Sequence, residues 1–146
     1  ITSKHDQLGV RVAVVKDVTG KHGGTLVLPS IEYGTPLSRT SYVGVAASTS
    51  IVGKKFGRYY FDVTPAGSVA SGLPAYAAAS TKSGIARYSI GMAGMQSLSG
   101  DLRKGWALVG GAQYSRLQGR YARSPIVAVA GSRGQWMGGL GLSYSF

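Results

Sequence analysis

The chain has no cysteine, only two histidines and only five acidic residues among its 146 positions. Without cysteine it forms neither disulfides nor thiolate metal sites, although that absence alone assigns no compartment. Catalysis needs a nucleophile, a base or metal ligands that converge, and little is available for such a set. His22 lies in a glycine-rich turn. His5 and Asp6, near the start, are neighbours too close to chelate a metal together and read as solvated polar residues. Serines are many, but none lies in a G-x-S-x-G elbow with a histidine and an acid downstream. The glycines at 138 to 141 precede no P-loop lysine. No catalytic, cofactor-binding or metal residue is therefore assigned, and a non-enzymatic protein with no cofactor is expected. There is also no run of about eighteen apolar residues, which excludes a transmembrane helix. Residues 1–7 are polar, without the basic start and apolar core of a secretion signal, so the sequence is either mature or has lost its beginning.

What is abundant points to strands. Glycine numbers 23 and tyrosine 9, only 14% of residues are charged, and mean hydropathy is barely positive at +0.07. Alternating strands in lipid produce such an average, because half their residues face a lumen. The net charge of +11 would ordinarily raise nucleic acid as a partner. The basic residues are scattered through glycine- and serine-rich connections, as with Lys54, Lys55 and Arg58, Arg103 and Lys104, Arg116, Arg120, Arg123 and Arg133. Attraction to anionic lipid phosphates accounts for them as well, and nucleic acid is not expected.

The last twelve residues carry the clearest pattern. Trp136, Gly138, Leu140, Leu142, Tyr144 and Phe146 fall on one face of an extended strand, and Gln135, Met137, Gly139, Gly141, Ser143 and Ser145 on the other. Aromatics at both ends of an apolar face, separated by roughly the span of a bilayer core, suit the closing strand of an outer-membrane β-barrel.

Five earlier strands follow the same alternation. The first sends Leu8, Val10, Val12 and Val14 outward, with Gly9, Arg11 and Ala13 inward. The second, residues 25–33, sends Val27, Pro29, Ile31 and Tyr33 outward and Leu26, Leu28, Ser30 and Glu32 inward; Pro29 cannot donate to a ladder and marks a weak point or a bulge. The third, 42–52, points Val43, Val45, Ala47, Thr49 and Ile51 outward. The fourth, 85–96, points Ala86, Tyr88, Ile90 and Met92 outward and Arg87, Ser89, Gly91 and Ala93 inward. The fifth, 106–114, points Trp106, Leu108, Gly110, Ala112 and Tyr114 outward. Arg11, Glu32 and Arg87 are the expected lumen charges, with Arg11 and Glu32 either paired across the first hairpin or separately wetted.

The connections alternate in length. Residues 34–41 and 97–105 are short and fall on one side, whereas 53–84 and 115–134 are long and fall on the other. Barrels of this class have short periplasmic turns and long external loops. The brief turn at 19–24 is the exception on the external side. The expectation is one domain over 1–146, all-β, an antiparallel up-and-down transmembrane β-barrel with about six strands visible. Barrels of this kind have eight or more strands. Six would leave unpaired edges in hydrocarbon, so an N-terminal portion of the barrel is expected to be missing.

Several short motifs, in order, match a known family. They are Y-G-T-P-L-S-R at 33–39, Y-F-D-V-T-P at 60–65, S-G-L-P-A-Y at 71–76, S-R-L at 115–117, S-P-I-V at 124–127 and G-L-G-L-S-Y-S-F at 139–146. Taken together they resemble the MltA-interacting protein (MipA/OmpV) family over nearly the whole chain. Asp62 stands where the family's motif has glycine, and Ser145 where a basic residue is usual. The resemblance implies a Gram-negative outer-membrane barrel larger than this chain. It also implies a scaffold role between a lytic transglycosylase and a penicillin-binding synthase of the cell wall. Phe146, Tyr144, Leu142 and Leu140 would then be the signal read by the barrel-assembly machinery, and outer-membrane lipid and lipopolysaccharide the surroundings.

Tyr60, Phe61, Leu73, Pro74 and Tyr76 are the external-loop residues singled out. Tyr59, Tyr60 and Phe61, following Lys54, Lys55 and Arg58, form either a ligand-binding surface or an interfacial girdle with snorkelling bases, and the girdle is favoured. Residues 71–76 are expected to fold the loop back over the barrel mouth. Two other functions remain open beside the scaffold: a small diffusion pore or transporter using the lumen charges, and a surface adhesin using the loop at 53–84.

Overall fold

The structure, a computed structural model, describes residues 5–146. Of the polar opening at 1–7, residues 1–4 lie outside the described residues. Six strands form one antiparallel sheet: β1 (Gln7–Lys16), β2 (Thr25–Pro36), β3 (Ser41–Val52), β4 (Gly84–Ser97), β5 (Gly105–Leu117) and β6 (Gly134–Ser145). Each pairs with its neighbour in sequence, so the order is β1-β2-β3-β4-β5-β6, an up-and-down meander whose β1 and β6 are both edges.

The register carries the faces from strand to strand, because residues directly opposite in a ladder point the same way. Val10 faces Ile31, Ile31 faces Ala47, Ala47 faces Ile90, and Ile90 faces Tyr114, which faces Trp136. The outer set expected from alternation thus becomes one continuous apolar surface. Its members are open to the surroundings: Leu140 is 83% exposed, Val10 76%, Leu142 65% and Trp106 51%. A soluble fold would bury this surface; here it is the outside of the sheet. Aromatic pairs bound it, with Tyr114 on Trp136 at 5.0 Å between ring centroids at one end, and Trp106 on Tyr144 at 5.1 Å at the other.

Several boundaries differ from expectation. β2 continues through Pro36 and β5 through Leu117, into stretches expected to be loop. Pro29 sits within β2 opposite Val12, and the β2–β3 pairing has a gap at Leu28 and Pro29 before resuming in the same register, so it marks a missing bond rather than a bulge. The bulge lies elsewhere. Between Ser50 and Ile51 the β3–β4 register shifts by one, and Ala86 is the extra residue. Ala86, expected to face outward, therefore turns inward and is 2% exposed, while Ile85 takes the outer position at 40%.

The two long connections are folded. The first contains α1 (Lys54–Phe61) and α2 (Pro65–Ser71), the second the single turns α3 (Gly119–Ala122) and α4 (Pro125–Ala128). Thr64 caps α2 by accepting from the Gly67 amide at 3.1 Å, Pro65 occupies its first turn, and Gly72 ends it in the left-handed conformation at φ 72°. These segments lie over the same end of the sheet and make the main buried cluster, formed by Val52, Ala79, Ala86 and Tyr121 with Leu26, Phe56, Phe61, Tyr76 and Leu117 packed against it. The opposite end has only the turns at 37–40 and 98–104, tied together by the Leu102 amide donating to the Arg39 carbonyl at 3.1 Å.

Since Tyr121 is 1% exposed and fills the centre of that cluster, Tyr121→Ala is expected to cost about 3 kcal/mol. Limited proteolysis should then cut both long connections sooner while the strand amides keep their hydrogen-exchange protection. Equal loss of protection throughout the strands would contradict a separately packed cap.

Candidate functional site

The inner wall begins with small residues. Gly9, Gly34, Gly44, Gly91, Gly111 and Gly139 line a trough of about 900 Å³ along the concave face. One glycine is required by packing: a Cβ on Gly34 would collide with the hydroxyl of Tyr42, which lies across it. One row of polar residues runs across this wall. Arg11 faces Ser30, which faces Ser48, then Ser89, Ser115 and Gln135, crossing all six strands. The Ser89 and Ser115 hydroxyls are 2.9 Å apart, and the Gln113 amide donates to Ser115 Oγ at 3.1 Å.

Of the expected lumen charges, two meet. Arg11 and Glu32 form an ion pair at 3.5 Å, with their side chains 72% and 53% exposed. The pair is therefore both formed and wetted, and contributes little stability, about 0–1 kcal/mol. Arg87 points inward as expected, opposite Ser50 and Leu117. It stands near the capped end and is not brought to the other two.

Of the three aromatics expected to form an interfacial girdle, Tyr59 and Tyr60 are exposed and Phe61 is not. Phe61 packs edge-on against Tyr121 at 5.2 Å, inside the cap, because α1 turns its end toward the second long connection. Tyr76 forms a bridge with Val63, and its hydroxyl donates to the Arg120 carbonyl at 2.5 Å. Ser124, fully buried, donates to the Phe61 carbonyl at 2.6 Å. The loop thus folds back over the sheet end, as expected for residues 71–76. Leu73 is half-buried and Pro74 exposed. Asp62, at the family's glycine position, ends α1 and accepts the Ala79 amide at 2.9 Å, so the substitution adds a tie across the loop. Arg120 ties the second connection to the first: its guanidinium donates to the Lys82 carbonyl and to the Tyr121 hydroxyl, and lies 4.7 Å over that ring.

A further cluster joins the β1–β2 turn to α1. His22 packs against Phe56, Tyr59 and Tyr60 at 5.7, 5.0 and 5.4 Å between ring centroids. Its Nδ1 accepts the Gly24 amide at 2.9 Å, so the lone pair there is occupied. Asp17 organises the turn. One carboxylate oxygen accepts from the Thr19 amide and hydroxyl at 2.9 and 2.6 Å, the other from the His22 and Gly23 amides at 2.7 and 2.9 Å. These bonds, the Thr19 hydroxyl foremost, hold the carboxyl well below the usual carboxylate range. From sequence, residues 19–24 read only as a brief turn, and Asp17 has no role assigned. The signal was present in D-V-T-G-K-H-G-G, an Asx-type start followed by glycines, of which Gly20 and Gly23 have positive φ.

Asp6 is likewise not the solvated residue expected: it accepts from the Tyr33 hydroxyl at 2.8 Å and the Thr35 hydroxyl at 2.6 Å. Among the described residues no three His, Asp or Glu side chains gather as a metal site. At the other end, Tyr144 contacts Phe146 at 6.1 Å and Trp106, while Leu140 and Leu142 lie on the open outer face.

The lowered acidity constant of Asp17 gives a pH test. The carboxylate favours the folded turn in full above the ordinary carboxylate range, and that contribution is lost progressively as pH falls from there toward the depressed folded-state value. Exchange protection of the Thr19, His22 and Gly23 amides should thus be constant near neutral pH and weaken steadily as pH falls below the range where a free carboxyl titrates. Asp17→Asn should lower their protection at neutral pH and remove the acid transition; an unchanged acid transition in that variant would contradict this account.

No curated protein and no solved structure matches the chain. A family model described as MltA-interacting protein MipA matches residues 2–146, in agreement with the ordered motifs and the antiparallel sheet, and the chain belongs to that family.

Proposed function

We propose that the chain is part of a non-enzymatic outer-membrane β-barrel that acts as a scaffold between a murein hydrolase and a murein synthase. The observation that carries the membrane part is the uninterrupted apolar outer face bounded by aromatic pairs. Among the described residues no helix is long and apolar enough to cross a membrane, so crossing falls to the strands. In hydrocarbon the backbone groups along the free sides of β1 and β6 need partners, which calls for further strands in the complete barrel. Family membership supports the first partner, a lytic transglycosylase of the MltA kind, and a penicillin-binding protein is the second client in this reading. Outer-membrane lipid and lipopolysaccharide surround the barrel in this reading. The barrel-assembly machinery engages Phe146, Tyr144, Leu142 and Leu140 at its closing strand.

A diffusion pore is the second reading, favoured by the polar row from Arg11 to Gln135 along the inner wall. The packed cap at one end of the sheet weighs toward the scaffold, because a loop cluster with its own buried core does not make an open mouth. Reconstituted full-length protein should be silent in planar bilayers and should retain a purified lytic transglycosylase. Steady ohmic channels without such retention would replace the scaffold by the pore.

The membrane assignment has its own test. Leu140→Arg, on the outer face, is expected to cost about 2–4 kcal/mol of folding stability in bilayers. Gly139→Arg, one residue away on the inner face where a Cβ meets nothing within 4 Å, should be nearly neutral. Urea titration in lipid vesicles measures both, and equal costs would remove lipid from the outer face.

A further inference from the structure

We propose that the hollow between the β1–β2 turn and α1 binds phosphate monoesters carried on a saccharide. The hollow holds about 390 Å³ and is lined by Lys21, His22, Gly23, Lys55, Arg58 and Tyr59. That volume suits a phosphorylated hexose, since pockets for small ligands start at about 300 Å³. Three cations from two separate elements converge on it, and none has a carboxylate partner among the described residues. The nearest acid, Asp17, does not line the hollow. Its oxygens are taken by the turn's own amides and the Thr19 hydroxyl, and its side chain is 6% exposed.

The chemistry fits a phosphate on a sugar better than a bare anion. Lysine and arginine form their strongest hydrogen bonds with phosphate oxygens, and three of them match a dianion. Beside them the His22 and Tyr59 rings stand 5.0 Å apart at 36°, a partly exposed aromatic wall of the kind that packs against the apolar face of a pyranose. The site is also shaped in advance. Gly23 has φ +55°, and Lys55 Nζ lies 3.5 Å from where its Cβ would be, so the turn backbone approaches the ammonium group closely. Asp17 and the His22 bond to the Gly24 amide hold that backbone before any ligand arrives.

The proposal rests on the envelope reading in placing this hollow at the end of the barrel that carries the long connections. There the phosphate could be borne by a glycolipid headgroup or by a free sugar phosphate, and the recognition chemistry is the same. The experiment uses the refolded protein in detergent micelles, titrated calorimetrically with glucosamine 6-phosphate and with glucosamine. In parallel, flotation is measured with vesicles containing lipid A or its dephosphorylated form. Wild type should bind the phosphorylated member of either pair, and binding should weaken as salt rises. Binding of the sugar phosphate alone assigns a free ligand, and binding of lipid A alone assigns the headgroup. The combined variant Lys21→Gln, Lys55→Gln, Arg58→Gln should lose at least about tenfold in affinity. The charge-matched variant Arg39→Gln, Arg103→Gln, Lys104→Gln, at the opposite end of the sheet, should stay within about twofold. Heat-modifiable gel migration checks that both variants fold. Equal loss in both variants, wild-type affinity in the first, or no binding of either phosphorylated probe would overturn the site. Failure of the envelope reading would instead appear as absence of the native protein from outer-membrane fractions, which leaves the micelle titration untouched.

Discussion

Every side chain in this molecule takes its surroundings from the antiparallel ladder, and the rest of the structure depends on that pairing. A slip of one residue would exchange the two faces, moving Leu8, Val10, Val12 and Val14 to the side of Arg11 and bringing Arg11 out among the apolar residues. In a sheet with one apolar face and one polar face, such a slip is costly along the whole strand. The register is accordingly regular over five ladders, and its single shift, at Ser50 and Ile51, lies at the end where the sheet meets the cap. There the bulge turns Ala86 out of the apolar outer row and into the cluster with Val52 and Tyr121. One extra residue thus converts a strand end into part of a core.

The two ends of the sheet are built by different physics. At the end with short turns, backbone bonds such as Ser97 to the Thr40 carbonyl hold neighbouring hairpins together, and little is buried. At the other end, the hydrophobic effect is available again because side chains from the loops can exclude water from one another. Tyr121, Phe61, Tyr76 and Leu117 do so over the inner face. Polar ties then fix the arrangement: Ser124 to Phe61, Asp62 to Ala79 and Tyr76 to Arg120 each span separate segments. The small soluble-like core is shared between the loops and the inner side of the strand ends beneath them, at Leu26, Val52, Ala86 and Leu117, while the rest of each strand keeps its apolar side outward.

The strands were legible because a period of two over ten or more residues is a strong signal, and β6 carries it with aromatics at both ends. The Arg11–Glu32 pair was legible for the same reason, since hairpin pairing follows from the strand positions. Ala86 was not, because a bulge is set by packing in the third dimension while the alternation runs through it unbroken. Of the helices, α2 could have been read from Thr64, Pro65 and Gly72, a cap, a first-turn proline and a left-handed stop. α1 offered less, since its apolar contacts, such as Phe56 on Tyr60 at 4.4 Å, span a single turn. Of the serine row only Ser30 and Ser89 read as inward from sequence, Ser115 reading as loop, until the register joined them. Phe61 illustrates a different limit: aromatics beside basic residues read alike for a girdle and for a loop core, and the deciding fact, contact with Tyr121, is long-range.

The basic side chains stay largely unpaired because of how the few carboxylates are used. All five are occupied within the chain: Asp6 by Tyr33 and Thr35, Asp17 by its own turn, Glu32 by Arg11, Asp62 by the Ala79 amide and Asp101 by the Arg103 amide. Four of them accept from neutral amides or hydroxyls, and Arg11 is the one Lys or Arg with a carboxylate partner among the described residues. Apart from Arg11 no Lys or Arg among the described residues is paired with a carboxylate, and sixteen Lys and Arg against five acids fix the net charge at +11. Much of it lies at the two ends of the sheet, in Lys21, Lys54, Lys55, Arg58, Arg123 and Arg133 at one and Arg39, Arg103 and Lys104 at the other. A uniformly basic protein in water would gain little from that separation. In the proposed membrane setting it would gain at both ends, since basic side chains are drawn to anionic headgroups and the apolar face between them is drawn to hydrocarbon.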